Sequence, residues 1–458
     1  MHVDVLVAEI GSTTTIVNAF SNIGHKSNEN DYPDPVFVGQ GQAPTSVLQG
    51  DVTLGLNGAV EDLKNNLGQT DLSWNEMFAT SSAAGGLRMS VHGLVYDMTV
   101  RAAKEAALGA GAIVKYVTAG QMRRTDLLKL KEISPNIILL AGGVDFGERN
   151  TALYNFEQIA SLNLNAPVIY AGNIENHDEI KLLADEFGIQ IYIVENVYPK
   201  IDLLNVEPAR KIIQDVFEEH IVHAPGMSKV RQLVKGPIIP TPGSVMIAAK
   251  LLKDLIGDLV VFDIGGATTD VHSVTSGSEE ISRILVNPEP TAKRTVEGDL
   301  GVFVNLIHVV EKIGESELIN EFPELNELIQ NARPIPKTQR EISFIERLTK
   351  EALVTSLERH AGTLRTLYGL TGKRTLAEGK DLTNVKYIIG TGGALTRLPK
   401  RKEILKEATS LNNSERLFPR KDASVLIDNS YIMASLGVLS KKYPSDAIKL
   451  MKRTLELS

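Results

Sequence analysis

The chain has 458 residues, more than one hydrophobic core usually supports, so two or three domains are expected. Its 43% hydrophobic and 23% charged residues are ordinary globular composition, and a net charge of -8 without a basic face argues against general affinity for nucleic acid. With no cysteine, disulfides, thiolate nucleophiles and Cys-ligated zinc or iron–sulfur centres are excluded, and no run of 18 uninterrupted apolar residues suggests a membrane span. The N-terminus runs almost directly into a strand, without the basic and apolar leader of a secretory signal, so a cytoplasmic location is expected.

Residues 3 to 20 read as a β-hairpin whose turn region is Glu9-Ile-Gly-Ser-Thr-Thr-Thr15. After a polar loop from Ser27 to Pro35, Ala59 to Leu67 has helical spacing, with Gly68 as its C-cap. Trp74 to Thr80 reads as a strand entering Ser81-Ser-Ala-Ala-Gly-Gly86, whose small residues would admit a ligand or another strand. The alanine-rich stretch Thr99 to Leu108 predicts a helix stopped at Gly109 and Gly111; because a helix precedes them, these glycines are not a dinucleotide fingerprint.

From 134 to 222 the rhythm alternates between strand and helix. Asn136 to Leu140, Pro167 to Tyr170 and Gln190 to Val194 read as buried strands, and Ala152 to Leu162, Asp178 to Phe187 and Pro208 to His220 as helices. Pro237, Pro240 and Pro242 between Gly236 and Gly243 mark a turn-rich connector. Ser244 to Leu255 is helical, and Leu259 to Phe262 opens a second hairpin at Asp263-Ile-Gly-Gly-Ala-Thr-Thr-Asp270. Polar helices fill Glu311 to Tyr368 with breaks at Pro334 and Pro336, an apolar strand ends in Gly390-Thr-Gly-Gly-Ala394, and a helix covers about Tyr431 to Lys442. The expected organisation is a first lobe at 1–133, an inserted parallel α/β module at 134–222, a connector at 223–243 and a second lobe at 244–458.

An acid, then glycines, then threonines in a strand-turn-strand hairpin is a phosphate-binding device. Glycines let the backbone approach an oxyanion, threonine hydroxyls and turn N–H groups donate to it, and the acid holds a metal-bound water. Two facing copies would clamp a nucleoside triphosphate. Gly11, Ser12, Thr13 and Thr14 in the first and Gly265, Gly266, Thr268 and Thr269 in the second are the candidate phosphate ligands, although strand alternation turns about half of the hydroxyls away. Gly390, Thr391, Gly392, Gly393 and Ala394 would form a shelf for adenine or ribose. Glu297 and Asp299, beside two glycines, would reach metal or sugar, or simply make a surface turn; Asp145 is a site residue of the module or a loop cap.

This order of motifs resembles the actin, sugar-kinase and heat-shock chaperone (ASKHA) ATPases, whose fold is α/β and two-lobed, with duplicated ribonuclease-H-like cores. The resemblance implies ATP or ADP with Mg2+, and Glu9 stands in place of the usual first-motif aspartate; Asp263 and Asp270 read as metal- and water-positioning acids, Asp270 alternatively as a strand-end residue bonding its own turn. Glu9 and Asp263 would hold the metal through water, with Glu9 and Glu297 completing the catalytic set. More narrowly, Ala8 to Thr15, Thr80 to Arg88, Leu140 to Asp145, Thr295 to Gly301 and Gly390 to Ala394 resemble the glutamate (methylaspartate) mutase L family. That family implies an accessory or reactivating ATPase, slow because of Glu9, for an adenosylcobalamin-dependent mutase or aminomutase. A small-molecule kinase and an actin-like filament protein are the alternatives on the same fold; the iron–sulfur activators of acyl-CoA dehydratases share Gly-Ser-Thr-Thr-Thr but need cluster cysteines. The cobalamin signature is half met by Asp270-Val-His272, with Thr275 where glycine is needed, so direct cofactor binding is not expected.

Overall fold

The computed structural model describes residues 1–24, 33–46, 50–82, 87–221, 227–369, 372–411 and 413–457. Ala83 to Gly86 of the small-residue loop, and the first part of the expected connector, lie outside them.

The hydrophobic run at the N-terminus becomes β1 (His2–Ile10), which turns into the antiparallel β2 (Thr14–Ser21). β2 pairs with β3 (Val36–Pro44), and on its other side β1 pairs in parallel with β4 (Ser73–Ser81). Val5, Leu6, Val7 and Ala8 are all buried, because β1 is central and covered on both faces. The chain then leaves this sheet. β5 (Arg88–Gly93), β6 (Ile113–Ala119), β7 (Ile137–Leu140), β8 (Val168–Tyr170) and β9 (Ile191–Ile193) form an all-parallel sheet in the order β6-β5-β7-β8-β9. The α/β sheet thus takes in β5 and β6, and the boundary expected at 134 falls inside it. These two strands lack the continuous apolar runs of β7 and β8: β6 is a half-buried edge, and the central β5 buries Ser90 and His92.

β10 (Ile238–Pro240) returns to the first sheet beside β4, giving the order β10-β4-β1-β2-β3. The proline-rich stretch that reads as a connector is therefore an edge strand, the place in a sheet where proline is tolerated. It leads directly into helix Thr241–Ile256, with Pro242 in the first turn.

β11 (Leu259–Ile264), β12 (Thr269–Val274) and β13 (Ala292–Glu297) open the second lobe as an antiparallel meander. The helices that follow end at His360, and Tyr368 lies instead in β14 (Thr363–Gly369), hairpinned to β15 (Gly372–Glu378). β16 (Tyr387–Thr391) and β17 (Ser424–Ile427) then join β11 in parallel, giving β13-β12-β11-β16-β17. This repeats the first lobe strand for strand: a central hairpin, a third antiparallel strand beyond it, and two parallel strands on the other side. The molecule has the two-lobed actin-like architecture with ribonuclease-H-like duplicated cores.

The lobes share a core. Val5 and Val7 of β1, Val261 of β11, Val245 and Ala249 of helix Thr241–Ile256 and Leu436 of helix Met433–Leu439 are buried together. The two helices touch at Gly437, where a Cβ would overlap the Ser244 carbonyl. Among the described residues, no helix is long and apolar enough to cross a membrane.

Candidate functional site

The two central hairpins turn alike. Gly11 N–H donates to Thr14 O at 3.0 Å, and Gly265 N–H donates to Thr268 O at 3.0 Å. Each turn is braced from behind by a neighbouring segment. In the first lobe Thr45 donates its amide to Thr13 O at 3.0 Å and its hydroxyl to Gly11 O at 2.9 Å. In the second, Phe303 and Val304 donate to Gly266 O at 2.9 and 2.7 Å, and Asn305 Nδ2 donates to Ala267 O at 2.8 Å. Gly301 sits so close behind that turn that a Cβ would overlap Ala267, which explains why Thr295 to Gly301 ends in glycine.

The turns face each other. A Cβ built on Gly266 would lie 3.9 Å from Thr13 Oγ1. Between them lies a cavity of about 360 Å³ lined by Glu9, Gly11, Ser12, Thr13, Thr14, Asp263, Gly265, Gly266, Thr268, Asp270, Gly393 and Ala394. The proline-broken loop at Arg333 to Pro336, together with Phe303, Ile345, Leu398 and Tyr431, adds an apolar stretch to its wall. A second cavity of about 670 Å³ adjoins it, sharing Ser12, Ser82, Thr268 and Asp270.

The acids occupy unequal environments. Asp263 lines the cavity without a hydrogen-bond partner among the described residues, and burial together with the Asp270 charge raises its pKa to about 7. Glu9 is buried and already engaged: its Oε1 accepts from Ser435 N at 3.0 Å, Ser435 Oγ at 2.5 Å and Asn18 Nδ2 at 3.3 Å. Burial raises its pKa to about 7, with Asp428 and Asp263 adding repulsion. Asp270 forms a buried ion pair with Arg294, whose Nε and Nη2 donate to Oδ1 at 2.9 and 2.5 Å. Arg294 Nη1 donates onward to Leu108 O and Ala112 O, so this pair ties the second hairpin to the end of helix Arg101–Ala110.

Five candidates stand away from the first cavity. Thr269 Oγ1 donates to Leu300 O at 2.8 Å on the opposite face of β12, as strand alternation requires. Gly390 is packed in the core, where a Cβ would approach Leu405 and Ile427 to 3.0 and 3.2 Å. Thr391 is buried and donates to Asp428 Oδ2 at 3.0 Å. Glu297 lines the second cavity and pairs with Arg359 at 2.7 Å, which also binds Asp299. Gly392 adopts φ +82°, and a Cβ there would overlap Asp263 Oδ1 and lie 2.6 Å from Ile264 O. Its role is thus to bring the N-terminus of helix Gly392–Arg397 against the end of β11.

Sequence reading missed Asp428, Tyr431, Ser435 and Arg397. Asp428 accepts from Thr391, Met433 N and Thr454, and burial raises its pKa. Arg397 reaches across to Gln40 and Gln42 of the first lobe and lies 5.7 Å from the Tyr431 ring centroid. Asp428 stands one residue beyond an apolar strand, the same signal that singled out Gly390. His272 of the half-met cobalamin string is fully buried between strands, away from any external ligand. Asp145 accepts from Ile174 N and Asn196 Nδ2, joining three loops of the inserted sheet.

The family described as MutL protein matches residues 5–455. Protein MutL from Clostridium tetanomorphum is 37% identical over 427 residues, covering 90% of this chain and 92% of that protein. Among solved structures, nucleotide-free acetone carboxylase is similar at TM-score 0.38 and 13% identity, covering 96% of this chain and 70% of that one. The PilM–PilN type IV pilus biogenesis complex follows at TM-score 0.30 and 12% identity, covering 98% of each chain. At those scores the architecture rests on the duplicated strand order itself. The near full-length match and the 37% identical relative show that the chain belongs to the MutL protein family, the glutamate mutase L-like family.

Proposed function

We propose that the chain is a nucleotide-dependent accessory factor of an adenosylcobalamin mutase system, binding ATP or ADP with Mg2+ between its lobes and acting as a slow ATPase that helps the mutase exchange damaged cobalamin. The observation that carries this reading is the pair of identically hydrogen-bonded Gly/Thr turns opening onto one cavity beside Asp263. The donor set fits polyphosphate. Among the described residues the amides of Ser12, Thr13, Gly266 and Ala267 make no hydrogen bond, and Thr13 and Thr14 line the same space. The apolar wall from Phe303 to Leu398 suits a base and ribose.

A bound magnesium ion would neutralise phosphate charge. Asp263, without a hydrogen-bond partner among the described residues, is the group to hold its water shell, and ionisation of this carboxylate would be favoured by the cation. Glu9 is read as a lobe-contact acid, held by Ser435, that lies beside this centre without being free to serve it. That arrangement supports a slow turnover in which nucleotide state biases how the lobes pack. The family match supports the mutase association; reactivation is the step that the proposal adds.

Calorimetry with ADP and ATP, with and without Mg2+, tests the site. Asp263→Asn should weaken Mg2+-dependent binding and lower ATP turnover by at least about tenfold, as loss of a charge-positioning group does. Full turnover in that variant would sink the site assignment. Phosphate transfer to a metabolite, with hydrolysis absent, would favour a kinase instead.

A further inference from the structure

The inserted sheet carries a cluster that the nucleotide site does not use. Its order β6-β5-β7-β8-β9 sends the chain from β5 outward to β6 and then back across to β7. The C-terminal ends of β5 and β7 therefore flank a switch point, the edge where open parallel sheets place their binding groups. The loops after β7, β8 and β9 are joined there by buried amide side chains. Asn173 Oδ1 accepts from Phe146 N at 3.1 Å, Asn196 Nδ2 donates to Gly143 O at 2.9 Å, and Asp145 N–H donates to Pro199 O at 3.0 Å.

This rigid base presents apolar side chains to solvent. Phe146 is 79% exposed and has φ 62°, in the Val144–Gly147 turn, a backbone conformation that bulky residues seldom adopt. Ile174 on the next loop is 49% exposed, and Ile201 and Leu203 on the last are 70% and 48% exposed. Val95 and Tyr96, just past β5, are also exposed. Backbone strain and exposed apolar area both cost stability. Around this centre, Asp97, Glu148, Glu195 and Asp202 have no ion-pair partner among the described residues, while Arg149 is taken by Glu175 at 3.4 Å. Among the described residues Lys200 is the unpaired cation on these three loops, and Arg123 and Arg124 stand farther out, past β6.

We propose that this edge docks the protein on which the chain acts, through a partner surface with an apolar centre and a Lys/Arg rim. The inference rests on the accessory-factor reading only for the identity of the partner, a subunit of the mutase system. The acidic rim selects the complementary sign and speeds encounter, while the Phe146 centre supplies the hot spot.

The test uses the full chain and the source organism's purified mutase. Phe146→Asn keeps a residue that tolerates the left-handed backbone and removes the ring, so the melting temperature should hold or rise. Combined with Ile174→Ser, it should weaken mutase binding by at least about tenfold while leaving ADP affinity unchanged. Glu148→Lys with Asp202→Lys should slow association, and wild-type association should slow with added salt. Mutase binding that is unchanged in the Phe146 variants would overturn the docking surface and leave the accessory reading standing. Absence of wild-type binding to the mutase would overturn both. Loss of a self-dimer in the same variants, with mutase binding intact, would assign the edge to a second copy and also overturn the proposal.

Discussion

Glu9 and Asp263 hold corresponding places in the two hairpins, two residues before Gly11 and Gly265, yet Glu9 is bonded while Asp263 has no hydrogen-bond partner among the described residues. Burial lifts Glu9 from its ordinary 4.5 to about 7. Across that window the folded chain keeps a proton that the unfolded chain has released, so stability falls as pH rises from about 4.5 to about 7 and then levels off. The full swing for a shift of this size is on the order of 3 kcal/mol. Glu9→Gln retains an acceptor for Ser435 and cannot ionise. Its nucleotide-free form should match the wild type in thermal melts at pH 5 and exceed it at pH 8; equal melting at both values would refute the assignment. Asp270 differs again, because its partner Arg294 is itself buried. Arg294→Met leaves an uncompensated buried carboxylate and should cost about 3–5 kcal/mol in denaturant unfolding, with much of that recovered when Asp270→Asn is added.

At the scale of elements, the site depends on a helix meeting a strand end. Helix Gly392–Arg397 starts at a residue with φ +82°, pressed on Asp263 and Ile264. Gly392→Ala would meet both a disfavoured backbone and an occupied space. A loss of roughly 2–4 kcal/mol is expected by urea titration, most of it beyond the 1–2 kcal/mol of backbone strain alone. Gly393, where a Cβ meets nothing, is the control: Gly393→Ala should stay within about 1 kcal/mol of wild type. The two glycines are adjacent in sequence and look equivalent there. Only the approach of β11 separates them.

At the scale of the whole molecule, Arg397 joins the lobes by donating to Gln40 and Gln42, while Gln40 in turn donates to Asn18 Oδ1 at 2.8 Å and Asn18 to Ser435. Arg397→Ala cuts this contact beside the cavity. ADP affinity should fall roughly tenfold, about 1.4 kcal/mol, with a larger radius of gyration in solution scattering; an unchanged affinity would show that the latch does not serve the site. The repeated acid/Gly/Thr strings, each between β-forming runs, made both hairpins legible, because turn chemistry and strand periodicity are local properties. The buried apolar runs of β7 and β8 likewise announced the parallel sheet. Local patterns could not reveal that β5 and β6 belong to that sheet, or that β10 returns to β4, since strand pairing is decided across long stretches of chain. Nor could they separate Thr268, beside the cavity, from Thr269, which faces Leu300, without the register of β12. The sequence by itself determined the two turns, their order and the family. Tertiary structure alone decided which acid stands free in the cavity, because burial, the Asp270–Arg294 pair and the reach of Ser435 to Glu9 join residues hundreds of positions apart or on different strands.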